Sequence, residues 1–307
     1  MAVDATCPAD GLPPPATVIA LIERMADWLE ASEVAFGHGT TNAFDEAAWL
    51  TLWRLGLPLD ALEAVAEQPV SADDSARVEA LVGERILTRR PAAYLTGEAW
   101  LQGVPFTVDE RVIVPRSLIA EPLADGTLDA WLSDQTREVL DLCTGNGSLA
   151  VLAALAWPEV RVDAADLSAD ALAVAALNLQ RHGLQGRITL HQGDGLAAVG
   201  ERRYDLILCN PPYVNAGSMA ALPPEFQAEP VLALAGGADG MDFVQRLLRE
   251  APDHLTPQGV LVLEIGHERP HFEAAFPHLE PVWLPTSAGD DQVLLLTREA
   301  LSAPAQT

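Results

Sequence analysis

Residues 17–30, TVIALIERMADWLE, place Val18, Ile19, Ile22, Met25, Ala26 and Leu29 on one side of a 3.6-residue period, which predicts an amphipathic helix. A second helix is expected from about Asn42, with Trp49, Leu52, Trp53 and Leu55 as its apolar positions. Pro58 interrupts it, and 59–67 continue as a shorter helix. Ser71-Ala-Asp-Asp74 has the form of a capping box with Asp in the Glu position, opening a helix over 75–89. No alternating stretch breaks this series. Residues 1–90 therefore read as a helical domain, preceded at 1–16 by a loose Pro- and Ala-rich lead.

The period then changes. Trp100, Val104, Phe106 and Val108, followed by Val112, Ile113 and Val114, read as strands with a turn at Asp109-Glu110, a β-hairpin linker over 91–116. Beyond 116 the chain alternates between strand and helix. Strands are expected at 139–142, 160–167, 188–191, 204–209, 260–265, 281–284 and 292–297, with helices at 148–157, 169–182, 239–254 and 268–276. About seven strands joined by crossover helices predict a doubly wound α/β sheet over 117–307.

Composition narrows the class. Hydrophobic residues make up 49% of the 307, enough for packed cores, and no apolar run is long enough to span a bilayer. The N-terminus lacks the basic and apolar regions of a secretion signal, so a cytoplasmic protein is expected. Cys7, Cys143 and Cys209 are far apart and show no metal spacing; they read as reduced thiols, and no metal site is expected. Acidic residues number 44 against 18 basic ones, a formal charge of −26, and all 18 basic residues are Arg. Such a surface repels phosphate backbones and attracts basic partners.

Candidate chemistry collects at strand ends. The first sheet strand runs into Asp141-Leu-Cys-Thr144-Gly145-Asn146-Gly147, a Gly-x-Gly turn that serves either close ligand approach or a tight strand-to-helix connection. The next strand ends at Asp166-Leu167, where a doubly wound fold holds ribose hydroxyls, although Asp166-Leu-Ser168 also suits a helix cap. The third leads to Gly193-Asp194-Gly195, whose acid is placed to accept from an adenine amine. Three such features on successive strands point to a nucleoside, and with no Lys and no phosphate cradle, to adenosine without a diphosphate. The strand at 204–209 ends in Asn210-Pro211-Pro212-Tyr213, where two prolines stop the ladder and stiffen the corner.

Taken together, Asp141–Gly147, Asp166, Gly193-Asp194 and Asn210-Pro-Pro-Tyr213 resemble the class I, S-adenosylmethionine-dependent methyltransferases. Arg90-Pro-Ala-Ala-Tyr94-Leu-Thr-Gly97, Val114-Pro-Arg-Ser117, Glu229-Pro230, Leu234–Gly240 and Leu263-Glu-Ile-Gly266 resemble the protein-glutamine N(5)-methyltransferases, over roughly 70–300. The resemblance implies a Rossmann-like methyltransferase sheet, an N-terminal substrate-recognition domain, and S-adenosylmethionine held by Asp141, Thr144, Gly145, Asn146, Gly147, Asp166, Leu167, Asp194 and Asn210. It also implies a catalytic corner of Asn210, Pro211 and Tyr213. There the Asn210 side-chain oxygen and the Pro211 carbonyl would grip the two N–H groups of an amide while Tyr213 stacks on it. Cys143 and Cys209 flank this site as small packing residues.

Within that family, the release-factor enzymes carry Ile-Pro-Arg-Pro and Asp-Leu-Gly-Thr-Gly-Thr-Gly. Val114-Pro-Arg-Ser-Leu-Ile-Ala-Glu121, Asp-Leu-Cys-Thr-Gly-Asn-Gly and Ala221–Pro230 resemble instead the enzymes of the third large-subunit ribosomal protein. The expected partner is thus a basic ribosomal protein, with a release factor as the alternative substrate. Arg116 and Glu121 are candidates to orient the linker, or else a surface ion pair. A nucleic-acid base-amine methyltransferase would share the Asn-Pro-Pro-Tyr corner but needs a basic groove, hard to build at −26. A nicotinamide dehydrogenase would share Gly-x-Gly without a use for the prolines, and a silent binding protein would bind the cofactor without turnover.

Overall fold

The computed structural model describes residues 16–303; Cys7 and nearly all of the loose lead expected at 1–16 lie outside them. The chain forms two compact units, one running to Glu98 and taking in Leu222–Ala228, the other comprising Ala99–Ala221 and Glu229 onward.

The first unit is helical, with helices at Val18–Ala31, Ala43–Leu55, Leu62–Val65, Ala72–Thr88 and Ala92–Thr96. Thr17, Asn42 and Ser71 cap the three long ones through their side chains. At Ser71 the capping box is shortened: the hydroxyl accepts from the Asp74 N–H at 3.1 Å and donates to the Asp74 carboxylate at 2.8 Å. Leu21, Ile22, Met25, Leu29, Leu50, Leu52, Val82 and Ile86 are buried in its core. Leu21 and Leu50 take deep positions, whereas Ile19, Trp49, Trp53 and Leu55 are only half-buried.

Arg85 is also buried in this unit. Its Nε donates to Glu46 at 2.9 Å and its Nη2 to the Ala35 carbonyl at 2.9 Å, with Glu225 3.4 Å from Nη1. Arg89 donates to the same Glu225 oxygen at 3.2 Å, so two guanidinium groups hold Leu222–Ala228 in the helical unit. A buried carboxylate is tolerated when so paired.

The second unit opens with a two-stranded hairpin, β1 (Glu98–Leu101) and β2 (Val104–Thr107). Val112–Val114, expected as a further strand, is loop. Its Val114 N–H is taken by the Glu229 carboxylate at 2.9 Å, and its Val112 N–H by the Asp109 carbonyl in a turn. The seven-stranded sheet consists of β3 (Glu138–Leu142), β4 (Arg161–Asp166), β5 (Ile188–Gln192), β6 (Tyr204–Cys209), β7 (Leu255–Glu264), β8 (Val282–Thr286) and β9 (Gly289–Thr297). Their order is β5-β4-β3-β6-β7-β9-β8; β3 to β7 pair in parallel, and β9 runs antiparallel to both β7 and β8.

The central strands are apolar on both faces because both are covered. Val139, Leu206, Leu208, Val260 and Val262 join one core, with the helix Ser148–Ala156. Leu140, Leu142, Ile207, Cys209, Leu261 and Leu263 join the other, with the helix Asp242–His254. β7 begins earlier than the expected 260. Pro257-Gln258-Gly259 passes through a register shift against β6, where a Cβ at Gly259 would stand 2.7 Å from the Tyr204 carbonyl oxygen. Short helices at Ala120–Ala124 and Ala216–Ala221 were not anticipated. The chain leaves β3 toward β4 and β5, then crosses back to lay β6 on the other side of β3, which puts a topological switch point at the tips of β3 and β6.

Candidate active site

At that switch point the chain leaves β3 through Asp141, which is buried. Its Oδ2 accepts from the Thr144 hydroxyl at 2.5 Å and from the Ala150 N–H at 2.9 Å, drawing the loop onto the first turn of the following helix. Its Oδ1 has no hydrogen-bond partner, and burial pushes the Asp141 carboxyl up to about 7. The turn needs left-handed backbone at Cys143 (φ 62°), Gly145 (φ 55°) and Gly147 (φ 81°). The two glycines differ in purpose. A Cβ at Gly145 would meet open space, whereas one at Gly147 would come 3.2 Å from the Ala175 Cβ, so Gly147 lets two helices approach. Asn146 is buried and structural: its Oδ1 accepts from the Ser148 N–H, and its carbonyl from the Asn178 amide at 2.9 Å.

Asp166, at the tip of β4, stitches two loops together. One oxygen accepts from the Gly145 N–H at 2.9 Å and the other from the Ser168 N–H at 2.8 Å. Burial raises its pKa, and these backbone donors oppose the rise. The helix cap itself is Ser168, whose hydroxyl accepts from the Ala171 N–H at 3.1 Å, while Asp166 keeps further lone pairs for a ligand.

These tips wall a cavity of about 220 Å³. Its floor is Leu142, Cys143, Gly145, Ala165, Asp166 and Leu167, continued by Gly193-Asp194-Gly195 and by Asn210 and Pro212 of the corner. Arg111, Val112 and Ile113, the segment Pro230, Leu232, Ala233, and Phe243 with Arg246 complete it. Asp194 is gripped by both Arg246 Nη groups, one at 2.6 Å, and this hydrogen bonding holds the Asp194 carboxyl below its usual range. The Arg246 guanidinium lies 5.2 Å from the centroid of the Phe243 ring.

Gly145, Asp166, Leu167, Asp194 and Asn210 thus meet at one cavity, as the sequence placed them. Asp141, Thr144, Asn146 and Gly147 lie behind its wall and shape the loop. Ile113, Pro230, Leu232, Phe243 and Arg246 were not foreseen; of these only Pro230 belonged to a recognised motif, and none carries a local signal of its own. Arg116 and Glu121 do not pair with each other. Arg116 forks onto Glu229 at 2.6 and 2.7 Å, and Glu121 accepts from Ser287. Cys143 lines the cavity, while Cys209 is buried and its thiol is pushed up by burial; both are free thiols.

The corner after β6 is held in a socket. Pro211 is buried and Pro212 faces the cavity. The Tyr213 hydroxyl donates to Glu264 at 2.8 Å, and burial raises its pKa. A Cβ at Gly236 would come 2.7 Å from the Tyr213 Cα, one at Gly240 would overlap the Tyr213 carbonyl oxygen, and one at Gly266 would come 2.5 Å from the ring Cε2. The Leu234–Gly240 and Leu263–Gly266 stretches are therefore the walls that receive Asn-Pro-Pro-Tyr, which explains why glycines stand there.

The donor set fits S-adenosylmethionine. The Asp166 carboxylate at one strand tip is available as an acceptor, Asp194 at the next is shared with Arg246, the remaining walls are largely apolar, and both cations at the cavity, Arg111 and Arg246, are already paired with Asp109 and Asp194. An open Gly145 allows close backbone approach. A doubly wound sheet with this strand-tip site defines an S-adenosylmethionine-dependent methyltransferase.

Comparison with known proteins agrees. The "Methyltransferase small domain" family matches residues 126–226 and the "PrmC N-terminal domain" family matches 28–97. A Bordetella pertussis protein named ribosomal protein uL3 glutamine methyltransferase is 57% identical, over 92% of this chain and 95% of its own. Proteins of the same name from Burkholderia pseudomallei and Bradyrhizobium diazoefficiens are 53% and 48% identical, over 94% and 90% of this chain and 97% and 89% of theirs. The chain belongs to the family of ribosomal protein uL3 glutamine methyltransferases.

Proposed function

We propose that this enzyme methylates the side-chain amide nitrogen of a glutamine in the large-subunit ribosomal protein uL3, in the cytoplasm where ribosomes are made. The observation that carries the reading is the placement of Asn210 and Pro212 on the wall of the strand-tip cavity, with Pro211 buried between them. When bound, S-adenosylmethionine supplies an electrophilic methyl group. The residues to hold it are Gly145, Asp166, Leu167 and Asp194 at the cavity, on a loop fixed from behind by Asp141, Thr144, Asn146 and Gly147.

An amide nitrogen is a weak nucleophile because its lone pair is delocalised into the carbonyl. In this reading the Asn210 side-chain oxygen and the Pro211 carbonyl accept the two amide N–H groups and orient the remaining lone pair. Two prolines fix both acceptors in advance, so no reorganisation is needed at the reaction. As the nitrogen–methyl bond forms, the nitrogen becomes cationic, and these acceptors interact with it more strongly. The excess proton then leaves to solvent, so no strong general base is required. The stacking expected of Tyr213 gives way to a supporting part: it is not among the residues that line the cavity, its ring rests against Gly266 and its hydroxyl donates to Glu264, so it steadies the corner.

The acidic chain supports a basic protein substrate over a nucleic acid. Incubation with labelled methyl donor and the separated ribosomal proteins, followed by mass spectrometry, tests the assignment. A methylated glutamine in uL3 is expected. Label on a release factor, or on an adenine amine, would replace it.

A further inference from the structure

Glu264 ends β7 as a buried carboxylate that no part of the reaction scheme uses. Its Oε2 accepts from the Ser117 hydroxyl at 2.6 Å and the Leu118 N–H at 2.9 Å, and its Oε1 accepts from the Tyr213 hydroxyl at 2.8 Å. Burial raises the pKa of Glu264, and the three donors oppose that rise by favouring the ionised form, whose charge-assisted bonds are the strong ones. The segment ending in Ser117 and Leu118 begins with Val112 and Ile113 at the cavity wall. On the other side, Tyr213 continues directly from Pro212, also at that wall, and its ring rests on Gly266, two residues beyond Glu264. One carboxylate thus joins two walls of one cavity.

We propose that Glu264 is a positioning residue for methyl transfer. It fixes the Tyr213 ring through its hydroxyl and, with the same group, the 112–118 segment, so that the corner and the facing wall keep one spacing. This rests on the reading of Asn210–Tyr213 as the amide grip. Glu229 supports the same segment by accepting from the Val114 N–H at 2.9 Å and from both Arg116 Nη groups, and its charge also acts on Tyr213. Glu264 is the carboxylate that bonds both to the Tyr213 hydroxyl and to the 112–118 segment. Displacements of about 1 Å in an aligned site lower rates on the order of 100-fold, so the effect should fall on kcat.

The test is a double-mutant cycle of Ser117→Ala and Tyr213→Phe in the full chain, with methylation of intact uL3 as the readout and calorimetric S-adenosylmethionine affinity as control. Each single variant should lower kcat by roughly 10-fold, and the double variant by little more than either, because both act through one carboxylate. Glu264→Gln should lower kcat at least as much, with cofactor Kd changed less than about 3-fold, and should add little in the Tyr213→Phe background. The cycle reads the coupling even if Glu264→Gln fails to fold. Multiplicative losses in the double variant, or a KM rise with kcat unchanged, would overturn the proposal. If the wild-type enzyme left uL3 unmethylated, the functional reading would fail instead.

Discussion

Asp141→Asn isolates the consequence of burying a carboxyl behind the cofactor loop. In the folded chain burial raises this group to about 7 against an ordinary 3.8. A raised folded-state value means the native state binds the proton more tightly than the unfolded chain. The associated stability is fully present below the unfolded value and is lost as pH rises through about 7. At pH 5.5, about 1.5 units below the folded value, one carboxyl contributes about 2 kcal/mol at roughly 1.4 kcal/mol per unit; at pH 8 it contributes almost nothing. Asparagine keeps an oxygen for the Thr144 hydroxyl and the Ala150 N–H, so the loop retains both bonds but loses the titration. Thermal unfolding of the two proteins at each pH gives a difference in which the other carboxyls cancel apart from Asp166, whose charge acts on Asp141. On moving from pH 8 to pH 5.5 that difference should shift by about 4–8 °C in favour of the wild type, at roughly 2–4 °C per kcal/mol for a unit of this size. A difference constant to about 1 °C across this range would show that Asp141 is ionised throughout, and the reasoning would fail.

Three further outcomes follow from the site. Asp166→Ala should weaken S-adenosylmethionine binding by about 1–3 kcal/mol in calorimetry, since it removes a carboxylate at the cavity and frees Gly145, whose N–H it accepts; unchanged affinity in a folded variant would remove it from the cofactor site. Asn210→Ala should lower kcat by about 100-fold or more, a larger effect than on cofactor affinity, because its acceptor role is greatest when the amide nitrogen is cationic; near-normal turnover would make the corner purely structural. The kcat/KM for intact uL3 should fall as salt shortens the Debye length from about 10 Å to about 3 Å, and a glutamine peptide without basic residues should show little change; salt-independent kinetics would refute steering by the −26 charge.

What the sequence displayed and what it hid separate along one physical line. Features written in consecutive residues were legible: the strand-to-helix rhythm, the Gly145 turn, Asp166 at a strand tip, and the proline corner all depend on local backbone chemistry. Features that depend on distant partners were not. Val112-Ile113-Val114 has the composition of a strand, yet its backbone is claimed by Glu229, 115 positions away from Val114, so no neighbouring strand pairs with it. Phe243 and Arg246 sit on an ordinary amphipathic helix, and only the turn of the chain at Gly236–Gly240 brings them to the cavity. Asp194 was read from its strand as a free acceptor for an amine, but Arg246 already grips it, so a ligand amine must share that carboxylate with a guanidinium. The same holds for Glu225, whose place among Arg85 and Arg89 follows from tertiary pairing alone. The motifs known from resemblance fall between these extremes. Leu234–Gly240 and Leu263–Gly266 were visible as strings, but their meaning lies in the tertiary fold: the glycines exclude side chains from the volume that Tyr213 occupies, and Glu264 ties its hydroxyl. Substituting Gly240 or Gly266 should therefore act on the corner as directly as substituting Tyr213, although neither glycine lines the cavity.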